Sequence, residues 1–299
     1  MFVIAQKANQ LGNRLFLFAH LIACAAEHGV RLVNLGFAEY ARYFVTTSRD
    51  LLCRYPAQAS WLPRNARARE VLSAWAARIS GSLADGRLRG LKNSALMVLR
   101  SGYETTLIDP HGQVRLDSEA FRRALRRWQV IVFLGPLFRD FPSFQKHAAS
   151  IREYFRPLPI FQANVDTLIR ATRESCDVLV GVHIRRGDYR TFVNGRFFYT
   201  DDQYLGLLHH ARELFPRRKV GFLVCSDEEL PMRVFSSFAA VSGPGRFIED
   251  LHALARCDYL LGPPSTFSLW ASFYGQVPLY VVKDPDEKPS LDAFRVCRG

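Results

Sequence analysis

Residues Val180-Gly181-Val182-His183-Ile184-Arg185-Arg186-Gly187-Asp188-Tyr189 place an imidazole, two guanidiniums, a glycine and a carboxylate at the end of an apolar run. The run reads as a buried strand. Adjacent arginines at its mouth repel each other and lose side-chain entropy, so an anion is expected to balance them. Guanidinium fits two phosphate oxygens at once, and the expected chemistry of Arg185 and Arg186 is therefore phosphate binding. The competing reading is an exposed basic turn, in a chain that carries 40 Lys and Arg.

Two further groups follow apolar runs in the same way. Ser226-Asp227-Glu228 comes directly after Val220 to Cys225. Its carboxylate at Asp227 can accept from a ribose hydroxyl or a base edge, or else the group caps a helix starting at Glu228. In Pro263-Pro264-Ser265-Thr266-Phe267-Ser268 a helix opens with hydroxyls at Ser265, Thr266 and Ser268. Free N–H groups and flanking hydroxyls at a helix N-terminus make an anion site. Capping uses one hydroxyl, so the surplus points to a ligand.

These groups need a frame that brings strand ends together. After Pro157 and Pro159 the chain reads as helix 160–174, strand 178–183, helix 201–215, strand 219–225, helices 228–236 and 247–255, strand 258–262, helix 266–275 and strand 278–282. Strands separated by helices imply parallel pairing with right-handed crossovers, and such sheets bind ligands at the carboxyl ends of their strands. The first half opens as strand Phe2 to Gln6, a turn at Gly12 and Asn13, a helix Arg14 to His28 stopped by Gly29, and strand Val30 to Leu35. Beyond it the expected elements are a helix-like piece Arg64 to Ile79, a Gly-Arg-Leu stretch from Gly81 to Gly90, helix Glu119 to Trp128, strand Gln129 to Leu134 and helix Phe144 to Tyr154. The proline pair divides the chain into an N-terminal α/β domain, 1–157, and a C-terminal Rossmann-like domain, 158–299.

Composition limits the partners. With 299 residues, 48% of them hydrophobic, two domains with their own cores are expected. A net charge of +12 favours phosphorylated small molecules, nucleic acid or an anionic membrane surface. The six cysteines are scattered, with no Cys-x-x-Cys pair or metal spacing, and read as thiols in a reducing compartment. No apolar stretch reaches transmembrane length and none resembles a signal peptide, so the expected location is cytoplasmic, including the inner face of the membrane.

The order of motifs resembles that of the α-1,2-fucosyltransferases, glycosyltransferase family 11, and more distantly the α-1,6- and protein O-fucosyltransferases. Leu11-Gly12-Asn13-Arg14-Leu15-Phe16, His183 to Tyr189, Ser226-Asp227-Glu228, Asp250-Leu251 and Ser265-Thr266-Phe267-Ser268-Leu269-Trp270 carry the resemblance. It implies a GT-B-like α/β fold, two Rossmann-like domains facing a central cleft, with GDP-fucose as donor, a glycan hydroxyl as acceptor, inversion at the sugar carbon and no metal or other cofactor. The C-terminal domain would hold the donor nucleotide and the N-terminal domain the acceptor.

Residue by residue, the resemblance gives Arg185 the β-phosphate, with Arg186 supporting it or the fold. It gives His183 and Asp250 the guanine or its ribose, and Thr266 and Phe267 the pyrophosphate. Asn13, beside Gly12 and Arg14, would reach the sugar-phosphate junction, and Ser226, Asp227, Ser265 and Ser268 complete the donor set. Three positions depart from the family: Arg14 stands for glutamine, Glu228 for aspartate and Leu269 for tryptophan. Asp188 is the nearest general base, or instead pairs with an arginine to shape the turn.

Other signals have plain explanations. Asp284 and Asp286 mimic an Asp-x-Asp metal motif in a solvated loop, and His209-His210 read as surface. The run Arg122-Arg123-Ala124-Leu125-Arg126-Arg127 is a solvated helix face, with docking to anionic lipid or a lipid-linked glycan as the alternative. Transfer of another GDP-sugar is the competing activity. A non-catalytic nucleic-acid-binding protein is the competing class, disfavoured because the basic residues form no recognised module.

Overall fold

The computed structural model describes residues 1–7, 9–58, 71, 74, 75, 78, 96–101 and 113–299. Two compact units emerge, Met1–Leu158 with Arg298–Gly299, and Pro159–Cys297.

In the first unit, strands β1 (Phe2–Ile4), β2 (Leu32–Asn34), β3 (Leu96–Arg100) and β5 (Val130–Leu134) form a parallel sheet in the order β2-β1-β5-β3. The short strands β4 (Val114–Arg115) and β6 (Phe138–Arg139) pair separately. The helix Leu11–Glu27 is buried over nearly its whole length, as its apolar run requires. It ends where Gly29 takes φ +63°, a left-handed turn that glycine adopts without steric cost. Phe18, in this helix, meets Phe37, Tyr154 and Phe155 edge-on with ring centres 5.3–5.4 Å apart.

The expected helix Phe144 to Tyr154 is two helices, Phe141–Lys146 and Ala148–Tyr154, broken at His147. Asp140 starts the first by accepting from the N–H of Ser143 at 3.0 Å. The helix Glu119–Arg127 forms as expected, with Arg122 and Arg126 paired to Glu119 at 3.2 and 3.3 Å. Strand β3 lies in a region that periodicity left unassigned. The segments Arg64 to Ile79, apart from helical residues 71, 74, 75 and 78, and Gly81 to Gly90 lie outside the described residues.

In the second unit, β7 (Val178–Ile184), β8 (Val220–Ser226), β9 (Ala239–Ser242), β10 (Tyr259–Gly262) and β11 (Leu279–Val281) form a parallel sheet in the order β11-β10-β7-β8-β9. Every residue of β7 is buried, as expected of a central strand covered on both faces. Val178, Val180, Val182 and Ile184 pack with Leu207, Leu208, Phe222 and Phe235 in one apolar core. The helices Pro159–Arg173, Asp201–Glu213, Phe247–Leu254 and Thr266–Gly275 connect the strands. One expected element is absent: in place of helix 228–236 there is a single 3-10 turn, Met232–Phe235, followed by β9. Pro231 precedes that turn with ψ 95°, and proline stops a helix from running through.

All six cysteines are free thiols. Among the described residues no helix is long and apolar enough to cross a membrane.

Candidate active site

Because the strands of the second unit are parallel, β7, β8 and β10 end on one edge of the sheet, where ligands of such sheets bind. The segment leaving β7 is organised by carboxylates. Arg185 donates through Nε to Asp188 Oδ1 at 2.9 Å and lies 3.4 Å from Asp227 Oδ2. Asp227 also accepts from the backbone N–H of Arg186 at 2.8 Å and of Gly187 at 3.1 Å. It thus holds the turn together, and the helix that it would have capped does not form.

Arg186 differs from its neighbour. Its side chain is 9% exposed and its guanidinium is bound by the carbonyl of Tyr199 at 3.0 Å, Asp201 at 2.5 Å and Glu228 at 3.5 Å. The charge of the two arginines is therefore balanced by carboxylates from the turn itself, from β8's end and from the helix Asp201–Glu213, where an external anion was expected to do so. Arg186 is consumed by the fold, and Arg185 stays at the sheet edge. Asp188 pairs with Arg185 within this turn.

His183, the penultimate residue of β7, is 4% exposed. Its Nδ1 shares a hydrogen bond of 2.7 Å with Ser268 Oγ, and its ring centre lies 5.0 Å from that of Phe267. Burial, and next the charge of Arg185, depresses its pKa to about 3, so the imidazole is neutral at ordinary pH.

At the start of the helix Thr266–Gly275, Ser265 Oγ accepts from the N–H of Phe267 at 3.2 Å. The three hydroxyls thus divide: Ser265 caps, Ser268 serves His183, and Thr266 Oγ1 makes no hydrogen bond to a described residue. Gly262 makes this closeness possible, since a Cβ there would stand 2.8 Å from Ser268 Oγ and 3.2 Å from His183 Cβ. The hydroxyl of Tyr189 donates to the carbonyl of Pro264 at 2.5 Å, joining the arginine turn to the helix start.

A cavity of about 70 Å³ opens at the ends of β8 and β9, with Ser226, Glu228, Ser242, Gly243 and Asp250 in its wall. Asp250 is 5% exposed and accepts from the N–H of Gly245 at 2.9 Å. Burial pushes its pKa up to about 6. Ser226 Oγ accepts from the N–H of Glu228 at 3.2 Å and so shapes the cavity's edge.

In the first unit, Gly12, Asn13 and Arg14 lie in the first turn of the helix Leu11–Glu27. Arg14 is 9% exposed, donates to the carbonyl of Asn9 at 2.9 Å and to Glu39 at 3.0 Å, and lies 4.7 Å from the Tyr40 ring centre. Its guanidinium braces the loop around it, while the side chain of Asn13 makes no hydrogen bond to a described residue.

Sequence reasoning missed Tyr189 and the partners of Arg186. Tyr189 stands one residue after the Arg-Gly-Asp run, and its reach to Pro264 depends on the pairing of β7 with β10. Gly243-Pro244-Gly245 ahead of Asp250 was the available signal for the β8–β9 cavity. Asp284 accepts from the N–H of Asp286 at 3.0 Å, and among the described residues no three His, Cys, Asp or Glu stand together as a metal cluster.

Two α/β units with parallel sheets, and polar side chains gathered where one sheet ends, give the chain a GT-B-like fold. Residues 148–285 match the model of Glycosyl transferase family 11, the family that the motifs resemble. The fold matches FUT1 of Arabidopsis thaliana, solved with GDP, at a TM-score of 0.60 and 14% identity over 98% of this chain and 73% of that one. It matches NodZ, an alpha-1,6-fucosyltransferase from Bradyrhizobium soaked with GDP-fucose, at 0.55 and 16% identity over 96% of this chain and 97% of that one. Alpha-1,2-colitosyltransferase of Escherichia coli is 26% identical over 197 residues, 61% of this chain. The match spans 66% of that relative, just under two thirds of its length.

Proposed function

We propose that the protein transfers fucose from GDP-fucose to a hydroxyl of a glycan acceptor, with inversion at the sugar carbon and without a metal. The observation that carries this reading is the convergence of Arg185 and the N-terminus of helix Thr266–Gly275 on one edge of the sheet, tied together by the Tyr189–Pro264 and His183–Ser268 hydrogen bonds.

In such a transfer the acceptor oxygen attacks the sugar carbon as the bond to the diphosphate breaks. Positive charge grows on the sugar ring and negative charge on the departing GDP. A guanidinium already aimed by Asp188 and Asp227, together with the helix N-terminus and the hydroxyl of Thr266, meets that negative charge without reorganising. Asp188 acts as a positioning residue for Arg185. The neutral His183 keeps Nε2 for the nucleoside, and Asp250 offers a carboxylate to the N–H donors of a guanine edge.

A second reading concerns only the sugar. The Escherichia coli relative is named for colitosyl transfer, and the solved structures for fucosyl transfer or for bound GDP-fucose. GDP or GDP-fucose is bound in the solved structures, and the proposed phosphate contacts at the sheet edge concern that nucleotide end alone.

Calorimetric titration with GDP and GDP-fucose tests the reading. Wild type is expected to bind both, and Arg185→Ala to bind at least tenfold more weakly, because a charge-assisted contact is worth about 1.5–3 kcal/mol. Absence of binding by wild type, or equal binding by Arg185→Ala, would sink it. Transfer assays with GDP-fucose and GDP-colitose then separate the two sugars.

A further inference from the structure

The turn that carries Arg185 continues into a loop whose tip, Phe192 and Val193, is not among the expected donor contacts. Phe192 and Val193 are 49% and 50% exposed, whereas Tyr189 beneath them is 7% exposed. The rings of Tyr189 and Phe192 stack with centres 5.2 Å apart and planes inclined by 23°. The guanidinium carbon of Arg185 lies 5.7 Å from the centre of the Tyr189 ring. Arg185, Tyr189 and Phe192 thus form a series that runs from the proposed phosphate contact out to solvent.

The backbone at the tip is held in an uncommon conformation. Val193, Asn194 and Gly195 have φ of 49°, 56° and 75°. Asparagine and glycine tolerate the left-handed region, but a β-branched residue loses about 1–2 kcal/mol there. Such strain persists where surrounding bonds over-determine it. Here the N–H groups of Thr191, Asn194, Arg196 and Phe198 donate to Asp188, Thr191, Val193 and Gly195 at 3.0–3.2 Å. A ligand-free surface loop would be served better by polar residues at both positions. The loop therefore spends stability on presenting an aromatic face and a branched methyl pair beside the reaction site.

We propose that Phe192 and Val193 form the platform on which the acceptor sugar rests, with the C–H face of a hexopyranose ring against Phe192. The inference rests on the donor reading: an acceptor hydroxyl must reach the sugar carbon next to the diphosphate, so its ring lies beside the turn that holds Arg185. The negative face of an aromatic ring attracts the polarised C–H bonds of a pyranose, and stacking orients the sugar while leaving its hydroxyls free. The Tyr189 stack, itself anchored on Pro264, sets the height of that platform relative to Arg185.

The test uses the whole protein at saturating GDP, with methyl β-galactoside, methyl β-glucoside and methyl α-mannoside as probes. Saturation-transfer NMR on the glycoside ring protons reads acceptor binding, and calorimetry reads GDP binding in parallel. Wild type is expected to transfer saturation to at least one glycoside. Phe192→Ala should weaken that binding about fivefold, in keeping with the worth of one aromatic contact, and Phe192→Trp should retain it. Phe192→Leu, which keeps apolar bulk without a ring face, should lose it as well. GDP affinity should be the same in all four proteins. Phe192→Ala holding the glycoside as wild type does, or wild type binding GDP but none of the glycosides, would overturn the platform. Wild type failing to bind GDP would overturn the donor reading and the platform with it.

Discussion

The Nδ1 of His183 and the hydroxyl of Ser268 share a 2.7 Å hydrogen bond between the end of a strand and the first turn of a helix 85 residues later in the chain. Both side chains are buried, so the bond fixes the imidazole's orientation and the height of the helix N-terminus over β7 together. Ser268→Ala should destabilise the unit by about 1–3 kcal/mol, since it leaves a buried ring nitrogen without its partner. It should also weaken GDP binding. Urea unfolding and calorimetry on the same preparation would read the two effects, and an unchanged midpoint would contradict the packing role.

The adjacent arginines should separate cleanly by assay. Arg186 is buried among Tyr199, Asp201 and Glu228, and removing one partner of a buried ion pair destabilises by about 3–5 kcal/mol. Arg186→Ala is therefore expected to lower the unfolding midpoint sharply. Arg185→Ala should leave the midpoint nearly unchanged and lose its effect mainly in nucleotide affinity. The reverse pattern would exchange the roles given to the two residues.

Asp250 should make both stability and nucleotide binding depend on pH. Its folded pKa is raised from 3.8 to about 6 by burial, so the stability tied to its proton is present below 3.8 and is lost as pH rises through about 6. Asp250→Asn should accordingly melt higher than wild type at pH 8 without ligand, and the gain should shrink below pH 6. In wild type, a carboxylate that receives N–H donors from guanine must first release its proton, so GDP affinity should fall as pH drops below 6. Calorimetry at pH 5 and 7.5 measures that difference, and its absence in wild type would remove Asp250 from the base site.

His183 and His252 act in the opposite direction. Both are depressed from 6.5 to about 3, chiefly by burial. Between pH 6.5 and 3 the unfolded chain takes up protons that these folded rings refuse, and stability falls as pH falls through that window. Urea midpoints at pH 7.5 and 4.5 should differ by less in His252→Gln than in wild type.

Gly262 tests whether close approach is what the site requires. A methyl group there would press on Ser268 Oγ at 2.8 Å and on His183 Cβ at 3.2 Å. Overpacking of this kind costs about 1–3 kcal/mol. Gly262→Ala should lower both the melting temperature and the affinity for GDP, by moving the helix start away from the strand. Retention of full affinity would show that the separation is not critical.

Much of the frame was legible from residue pattern alone. The apolar runs before His183, Ser226 and Pro263 could only be buried strands, because their continuous hydrophobicity has to be covered on both faces, and the helices between them forced parallel pairing. That alternation by itself places three polar groups on one sheet edge. Helix 228–236 was misread because its residues have helical spacing locally, while Pro231 and the open edge of β8 favour a turn and another strand. Strand β3 went unseen because its pairing with β5 is fixed by contacts remote in sequence.

The chemistry of individual side chains depended on the tertiary structure. Arg185 and Arg186 are identical in type and adjacent in sequence, yet one is enclosed by Tyr199, Asp201 and Glu228 and the other remains at the sheet edge, because consecutive residues leaving a strand point to opposite sides. Ser265, Thr266 and Ser268 are equivalent as hydroxyls in sequence, but the helix turns Ser265 toward its own backbone and Ser268 toward His183, and leaves Thr266 without a hydrogen bond to a described residue. Sequence thus determined which groups the protein has and on which edge they gather; folding decided which of them the fold itself consumes, since only three-dimensional packing specifies the partners.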